Sequence, residues 1–306
     1  MTRYFARRVI GLIPLLLAVA TVTFFALELT PGDPAVLIMG QDVTPEGLAE
    51  VRRTLGLDRP LVEQYLRYLG GLVRGELGRS FRTRTPVTED LARTFPVTFT
   101  LAVGATVVST IVGVGGGVIS AVRPHSSLDY VVRAGILTAV SAPVFWLGLV
   151  LIYWFSIRLA WFPVSGWGTL RHIVLPVAAL SAFPLASVAR MTRSSILDVL
   201  THDYVRTARA KGVSGSSVLA RHVLKNAFIP VVTVIALQFG VLLGGAVITE
   251  TVFALPGLGQ LVVTAVLARD YAVIRGAVLL VAISFAVINL LVDVVYAALD
   301  PRIRYA

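Results

Sequence analysis

There is no cysteine in the chain, so disulfides, thiolate metal sites, iron–sulfur clusters and cysteine nucleophiles are excluded. Charge is scarce as well. Asp, Glu, Lys and Arg make up 14% of the 306 residues, where a soluble domain carries about a quarter. Lysine occurs only as Lys211 and Lys225, which follow Ala210 and Leu224. A phosphate-cradling loop needs Gly-Lys followed by Ser or Thr, so nucleotide hydrolysis has no site within this chain. Histidine is limited to His125, His172, His202 and His222, and none falls in a ligand spacing such as HExxH. An enzyme reading is left without a catalytic constellation. Short internal repeats and low-complexity tracts are also missing.

What the chain has in abundance is apolar sequence: 56% of residues and a mean hydropathy of +0.83. A soluble fold of this length could not bury so much, whereas lipid tolerates it. Six stretches approach or exceed the length needed to cross a hydrocarbon core: 9–29, 97–122, 134–157, 173–189, 227–249 and 276–299. The first ends at Glu28, the fourth carries Pro176 and Pro184, and the sixth contains Asp293. The first stretch runs on past Ala18-Val19-Ala20 through Phe24 and Leu27, longer than a signal h-region, so an uncleaved helix is expected. Prolines 143, 176, 184 and 230 are expected to kink their helices.

The net charge of +10 follows membrane topology rather than nucleic-acid binding, because no basic stripe alternates with aromatics. Arg3, Arg7 and Arg8 open the chain, the 190–226 loop is strongly basic, and Arg302 and Arg304 close it, while 158–172 has only Arg158 and Arg171. The positive-inside rule puts both termini and the 190–226 loop in the cytoplasm. Residues 30–96 then lie outside, with as many acidic as basic residues. Within them the spacing predicts a helix over 45–57, with Thr44 as N-cap and Gly56 as stop, and a second over 61–74. Two parts follow: 1–96, a first helix plus an outer segment, and 97–306, a core of five spans.

The 190–226 loop is more than a basic connection. Ile196, Val199 and Leu200 form one apolar stripe, and Val218, Leu219, Val223 and Leu224 another. Between them lies Tyr204-Val205-Arg206-Thr207-Ala208-Arg209-Ala210-Lys211-Gly212. Small residues at 208, 210 and 212 are expected to let a partner surface approach, with Arg206, Arg209 and Lys211 supplying charge and Gly212 ending a helix. Two short helices meeting at a bend, presented as a docking element, are predicted.

This loop resembles the signature loop of binding-protein-dependent ABC importers in its peptide-transporter form. The broad family's Glu-Ala-Ala is replaced here by Arg206, Thr207 and Ala208, and its later Leu-Pro is absent. Further strings resemble the first of the two permeases in the dipeptide, oligopeptide and nickel branch: Thr30-Pro31-Gly32-Asp33-Pro34, Leu55-Gly56-Leu57-Asp58-Arg59-Pro60, Gly75-Glu76-Leu77-Gly78-Arg79-Ser80-Phe81, Glu250-Thr251-Val252-Phe253, Leu255-Pro256-Gly257-Leu258-Gly259 and Leu299-Asp300-Pro301-Arg302. The resemblance implies an all-α integral membrane permease of the type I ABC importer fold, located in a prokaryotic inner membrane. It implies a second homologous permease, two ATPase subunits or domains, and an extracytoplasmic substrate-binding protein. ATP and Mg would sit on the ATPases, with no cofactor and no metal on this chain. Residues 204–212 would seat the coupling element in the ATPase. The 30–96 segment and the 250–271 loop, with Glu250, Phe253, Pro256 and Gly257, would meet the binding protein. Nickel or another small solute stands as the alternative cargo, and an ion-coupled secondary transporter as the alternative class.

Polar side chains inside spans are costly and are often functional. Gln238 and Asn289 carry two readings, pathway lining and interhelical hydrogen bonding. Interhelical bonding is expected for Ser109 and Thr110, and pairing with a loop arginine for Asp293. Glycines 113, 115, 116, 117, 240, 244 and 245 carry two readings, close helix packing, which is favoured, and a flexible gate in the pathway.

Overall fold

In a computed structural model the described residues, which are 2–29, 34–39 and 44–299, fold mainly into helices joined by turns and loops. The Thr30–Asp33 part of one family string and the closing Asp300–Arg302 lie outside them. In chain order the helices are α1 (Thr2–Glu28), α2 (Pro34–Met39), α3 (Pro45–Leu55), α4 (Leu61–Val73), α5 (Val87–Val122), α6 (Ser127–Ser141), α7 (Val144–Leu151), α8 (Leu170–Val199), α9 (Asp203–Ala210), α10 (Gly215–Val218), α11 (Leu224–Gly245), α12 (Val247–Val252), α13 (Leu258–Leu267) and α14 (Tyr271–Leu299). Wider π-helical turns continue α7 over Ile152–Arg158 and join α10 to α11 over Leu219–Val223. Helix is the expected solution in lipid, where each backbone N–H and C=O must find its partner within its own segment.

Among the described residues, five uninterrupted helical stretches have the length and composition to cross a membrane: Ile10–Glu28, Val87–Val122, Leu170–Val199, Gly215–Gly244 and Tyr271–Val294. The third expected span, 134–157, is not one rod. It is α6 and α7, bent by 98° at Ala142–Pro143. Ala142 is extended at ψ 132, as the following proline ring demands, and Pro143 lacks the N–H that would have continued the helix. Pro176, Pro184 and Pro230 sit inside helices that run on across them. The fourth span also outgrows its expected limits, because Arg190 and Arg193 extend the helix instead of ending it.

The chain divides into two compact units. The first comprises Met1–Val97 and Pro256–Ala286. Its core is built by Val87, Leu91, Leu258, Ala265, Tyr271, Val273, Ile274 and Ala277. Local chemistry sets the ends of its short helices. Thr44 accepts a hydrogen bond from the Gly47 N–H at 3.2 Å, and Gly56 closes α3 in the left-handed region at φ 68, both as predicted. Arg275 pairs with Glu28 at 2.8 Å and lies over the Phe24 and Tyr68 rings. Buried Asp270 accepts from the Ser80 hydroxyl, which fastens the 78–87 turn.

The second unit comprises Thr98–Leu255 and Val287–Ala306. Helix α8 is its axis, with α6, α7, α11 and α12 packed on it. Close approach of α5 to α8 depends on missing side chains. A Cβ on Gly117 would lie 2.6 Å from Thr192 Cβ and 2.7 Å from the Ala189 carbonyl oxygen, and one on Gly113 would lie 3.0 Å from the Leu185 carbonyl oxygen. Gly115 faces open space. The four tryptophans, Trp146, Trp154, Trp161 and Trp167, are all exposed on α7 and the loop after it, the placement of an aromatic belt.

The two neighbouring glycines therefore separate in a stability measurement. Gly117→Ala is expected to cost about 1–3 kcal/mol through overpacking against backbone. Gly115→Ala is expected to be neutral, or stabilising by up to about 1 kcal/mol. Thermal unfolding of the detergent-solubilised chain checks both, and equal midpoints would contradict the packing described.

Candidate functional site

The site of interest is the short helix α9 and what holds it. After α8 ends, Thr201 N–H bonds back to Asp198 O at 3.0 Å, and α9 starts at Asp203. Val205 and Ala208 fall on one helical face and are buried, packing with Ala121, Ile196, Val199, Val218, Val223 and Ala227. Tyr204, Arg206, Thr207, Arg209, Ala210, Lys211 and Gly212 are exposed. The C-terminus is a Schellman turn: Gly212 N–H bonds to Arg209 O at 2.9 Å and Val213 N–H to Ala208 O at 3.3 Å. Gly212 adopts φ +76, a backbone conformation that disfavours a side chain. The Tyr204 hydroxyl accepts from Asn226 Nδ2 at 2.8 Å, fixing α9 to the start of α11.

The predicted stripes at 196–200 and 218–224 thus meet each other, with α9 pinned on them. One expectation changes. Ala208 was expected to let a partner approach, but it faces its own chain, as does Val205. The reason is α9's own amphipathicity: Val205, its one sizeable apolar side chain besides Tyr204, turns inward and takes Ala208, three residues on, to the same face. What is left for a partner is polar and basic.

A buried charge cluster anchors the helices that carry α9. Asp129, in the first turn of α6, is fully buried. It accepts hydrogen bonds from the Ser120 hydroxyl on α5 and from the His125 N–H at 3.0 Å, and from Arg193 of α8 at 3.0 and 3.2 Å. Arg133 forms a second ion pair with it at 3.1 Å. Burying a charge is tolerable when it is paired and its lone pairs are filled. Sequence reasoning missed this cluster. The signal available was local: Ser126 caps α6 by accepting from the Asp129 N–H at 3.2 Å, an S-x-x-D start before an apolar run.

Among the residues expected to meet a binding protein, Glu250 is fully buried and Phe253 nearly so. Glu250 accepts from the Thr98 hydroxyl at 2.6 Å, and Phe253 fills the space that Gly148 leaves, where an added Cβ would come within 3.2 Å. Neither side chain presents a surface, and both act as packing groups of the second unit. Gly257 is buried at the start of α13, and Pro256 is exposed. Gln238 and Asn289 are half-buried. The cross-helix bonds expected of Ser109 and Thr110 do not form: Ser109 donates to Thr106 O on its own helix at 3.1 Å, and the Thr110 hydroxyl has no partner among the described residues. No cluster of three or more His, Cys, Asp or Glu suited to a metal occurs among the described residues.

Comparison with known proteins bears on the whole chain. A family described as "Binding-protein-dependent transport system inner membrane component" matches residues 113–305, and its N-terminal counterpart matches residues 1–102. A Brucella abortus protein named as a peptide transport system permease is 44% identical over 313 residues, covering 100% of both chains. The glutathione transport system permease protein GsiC of Escherichia coli K12 is 44% identical over 305 residues, again covering 100% of both. Among solved structures, the inward-facing MetNI methionine ABC transporter has a chain 19% identical with a TM-score of 0.58, covering 69% of this chain and 96% of that one. At that identity the likeness is one of fold.

Removing the buried carboxylate strands two guanidiniums. Asp129→Ala is expected to destabilise the chain by about 3–5 kcal/mol, read as a lowered unfolding midpoint in detergent. A midpoint within a degree of the parent's would show that the cluster carries no net stability.

Proposed function

Because the chain belongs to the family of inner membrane components of binding-protein-dependent transport systems, we propose that it is a permease subunit of an ATP-driven importer of peptides. The observation that carries the cargo is full-length identity of 44% to proteins named as peptide and glutathione permeases. In this reading the chain forms half of the translocation pathway and a second homologous permease forms the other half. Two ATPase subunits supply ATP and Mg chemistry, and an extracytoplasmic binding protein delivers the cargo. Both termini and α9 face the cytoplasm of a prokaryotic cell, following the loop arginines.

The coupling step is mechanical. An ATPase groove grips the exposed face of α9 through Arg206, Thr207, Arg209, Ala210 and Lys211. Val205 and Ala208 stay inside and tie α9 to α8 and α11, so that movement of the ATPases is passed to two spans together. The resulting alternating access would expose the pathway, with Gln238 and Asn289 as lining candidates. On the opposite face, α3, α4 and the exposed Pro256 are the surface offered to the binding protein.

Reconstitution with cognate ATPases, second permease and binding protein is the direct test. Peptide with binding protein is expected to stimulate ATP hydrolysis severalfold, and the isolated chain is expected not to transport along an ion gradient. Gradient-driven transport by the chain alone would overturn the proposal. Within the assembly, the double variant Arg206→Glu with Lys211→Glu is expected to lose about tenfold or more of the stimulation, since reversing interface charges costs several kcal/mol. Its unfolding midpoint should stay unchanged, because both side chains are exposed. Val205→Asp should instead lower the midpoint, because it buries an unpaired carboxylate. Full stimulation in the charge-reversed pair would remove α9 from the coupling role.

A further inference from the structure

Beside the Asp129 cluster lies a cavity of about 410 Å³, lined by Gly116, Ile136, Leu137, Ala186 and Leu197 and edged by Arg133, Arg190 and Arg193. Its charge does not balance. The single carboxylate of Asp129 is shared by Arg133 and Arg193, and the side chain of Arg190, one helical turn before Arg193, makes no hydrogen bond or ion pair among the described residues. Three arginines thus line a cavity whose neighbouring carboxylate pairs with only two of them, beside a floor of apolar side chains. On α6 the neighbouring Tyr130, Val131 and Leu137 are more than half exposed, which marks an apolar surface running from the cavity edge along the helix.

An excess of positive charge next to an apolar, open-sided cavity matches an amphiphile with an anionic head. We propose that this cavity binds an anionic phospholipid. Arg190 and Arg133 would receive the headgroup phosphate, and the acyl chains would lie along Ile136, Leu137 and the exposed face of α6. Guanidinium is suited to phosphate by its fork of donors, and basic pockets between spans on the cytoplasmic side are recognised lipid-headgroup sites. The placement rests on the orientation proposed above, in which this end of α8, next to α9, meets the inner leaflet. Arg193 is a positioning residue here, since its guanidinium is committed to Asp129 and Ser120. A bound headgroup would complete the charge balance at the root of the element that carries α9.

Lipid retention tests this without substrate or ATP, so failure here leaves the transport reading untouched. Full-length chain purified in detergent is titrated with phosphatidylglycerol or phosphatidylcholine and examined by native mass spectrometry. Preferential retention of phosphatidylglycerol is expected. Arg190→Gln should weaken it about fivefold, the factor set by one arginine facing anionic lipid, while Arg190→Lys keeps most of it. Arg171→Gln, at the far end of α8, should leave retention unchanged. Equal retention of the two lipids, or no effect of Arg190→Gln, would overturn the proposal. So would displacement of the lipid by millimolar glycerol 3-phosphate, which would assign the site to a free anion. Loss of retention when the second permease is added would assign the cavity to a subunit contact and overturn it as well.

Discussion

A carboxylate with no exposure to solvent keeps its charge only if cations and donors converge on it, and that demand at Asp129 draws three helices to one point. Ser120 comes from α5, the His125 N–H from the turn after it, and Arg193 from α8. Around that point the glycines at 113 and 117 bring the α5 and α8 backbones close, and α8 in turn supports α6, α7, α11 and α12. Breaking one member of such a cluster costs more than the pair is worth, because the remaining charge stays buried. Between helices already surrounded by apolar side chains, such contacts fix register where burial alone would leave it loose.

Much of this was legible in the sequence because it is local. Thr44, Gly56 and Gly212 announce helix ends through caps and left-handed turns that need only their neighbours. Long apolar runs announce spans, and the spacing of 196–200 and 218–224 announces two apolar stripes, whose packing on each other only the fold shows. What was not legible depends on distant partners. Arg193 finds Asp129 across 64 residues, and Thr98 finds Glu250 across 152. A glutamate in a string of family-like residues reads as surface until the donor that accommodates it is seen. Ala208 was misplaced for a subtler reason: a small residue suits either a close partner or a tight interior, and only the packing of α9 decides between them.

The bend at Ala142–Pro143 shows where a local rule gives the position but not the size. Proline withholds a donor and disfavours helix in the residue before it, so a disturbance there was predictable. Whether the helix kinks or breaks depends on what the two halves pack against, and here both α6 and α7 lie against α8. The turn of 98° then serves that packing, and α7 loosens into a wider π-helical turn before the tryptophan-rich loop.

The inward anchoring of α9 also has a kinetic consequence. A loop joined to its spans by slack chain would absorb an imposed displacement as disorder and return it slowly, on the timescale of segmental motion. Here the apolar face, the Tyr204–Asn226 bond and the rigid turn at Gly212 leave little slack on either side. In the proposed coupling role the element would act as a lever arm with a short throw, passing a push at its tip on to α8 and α11 before it is lost as disorder.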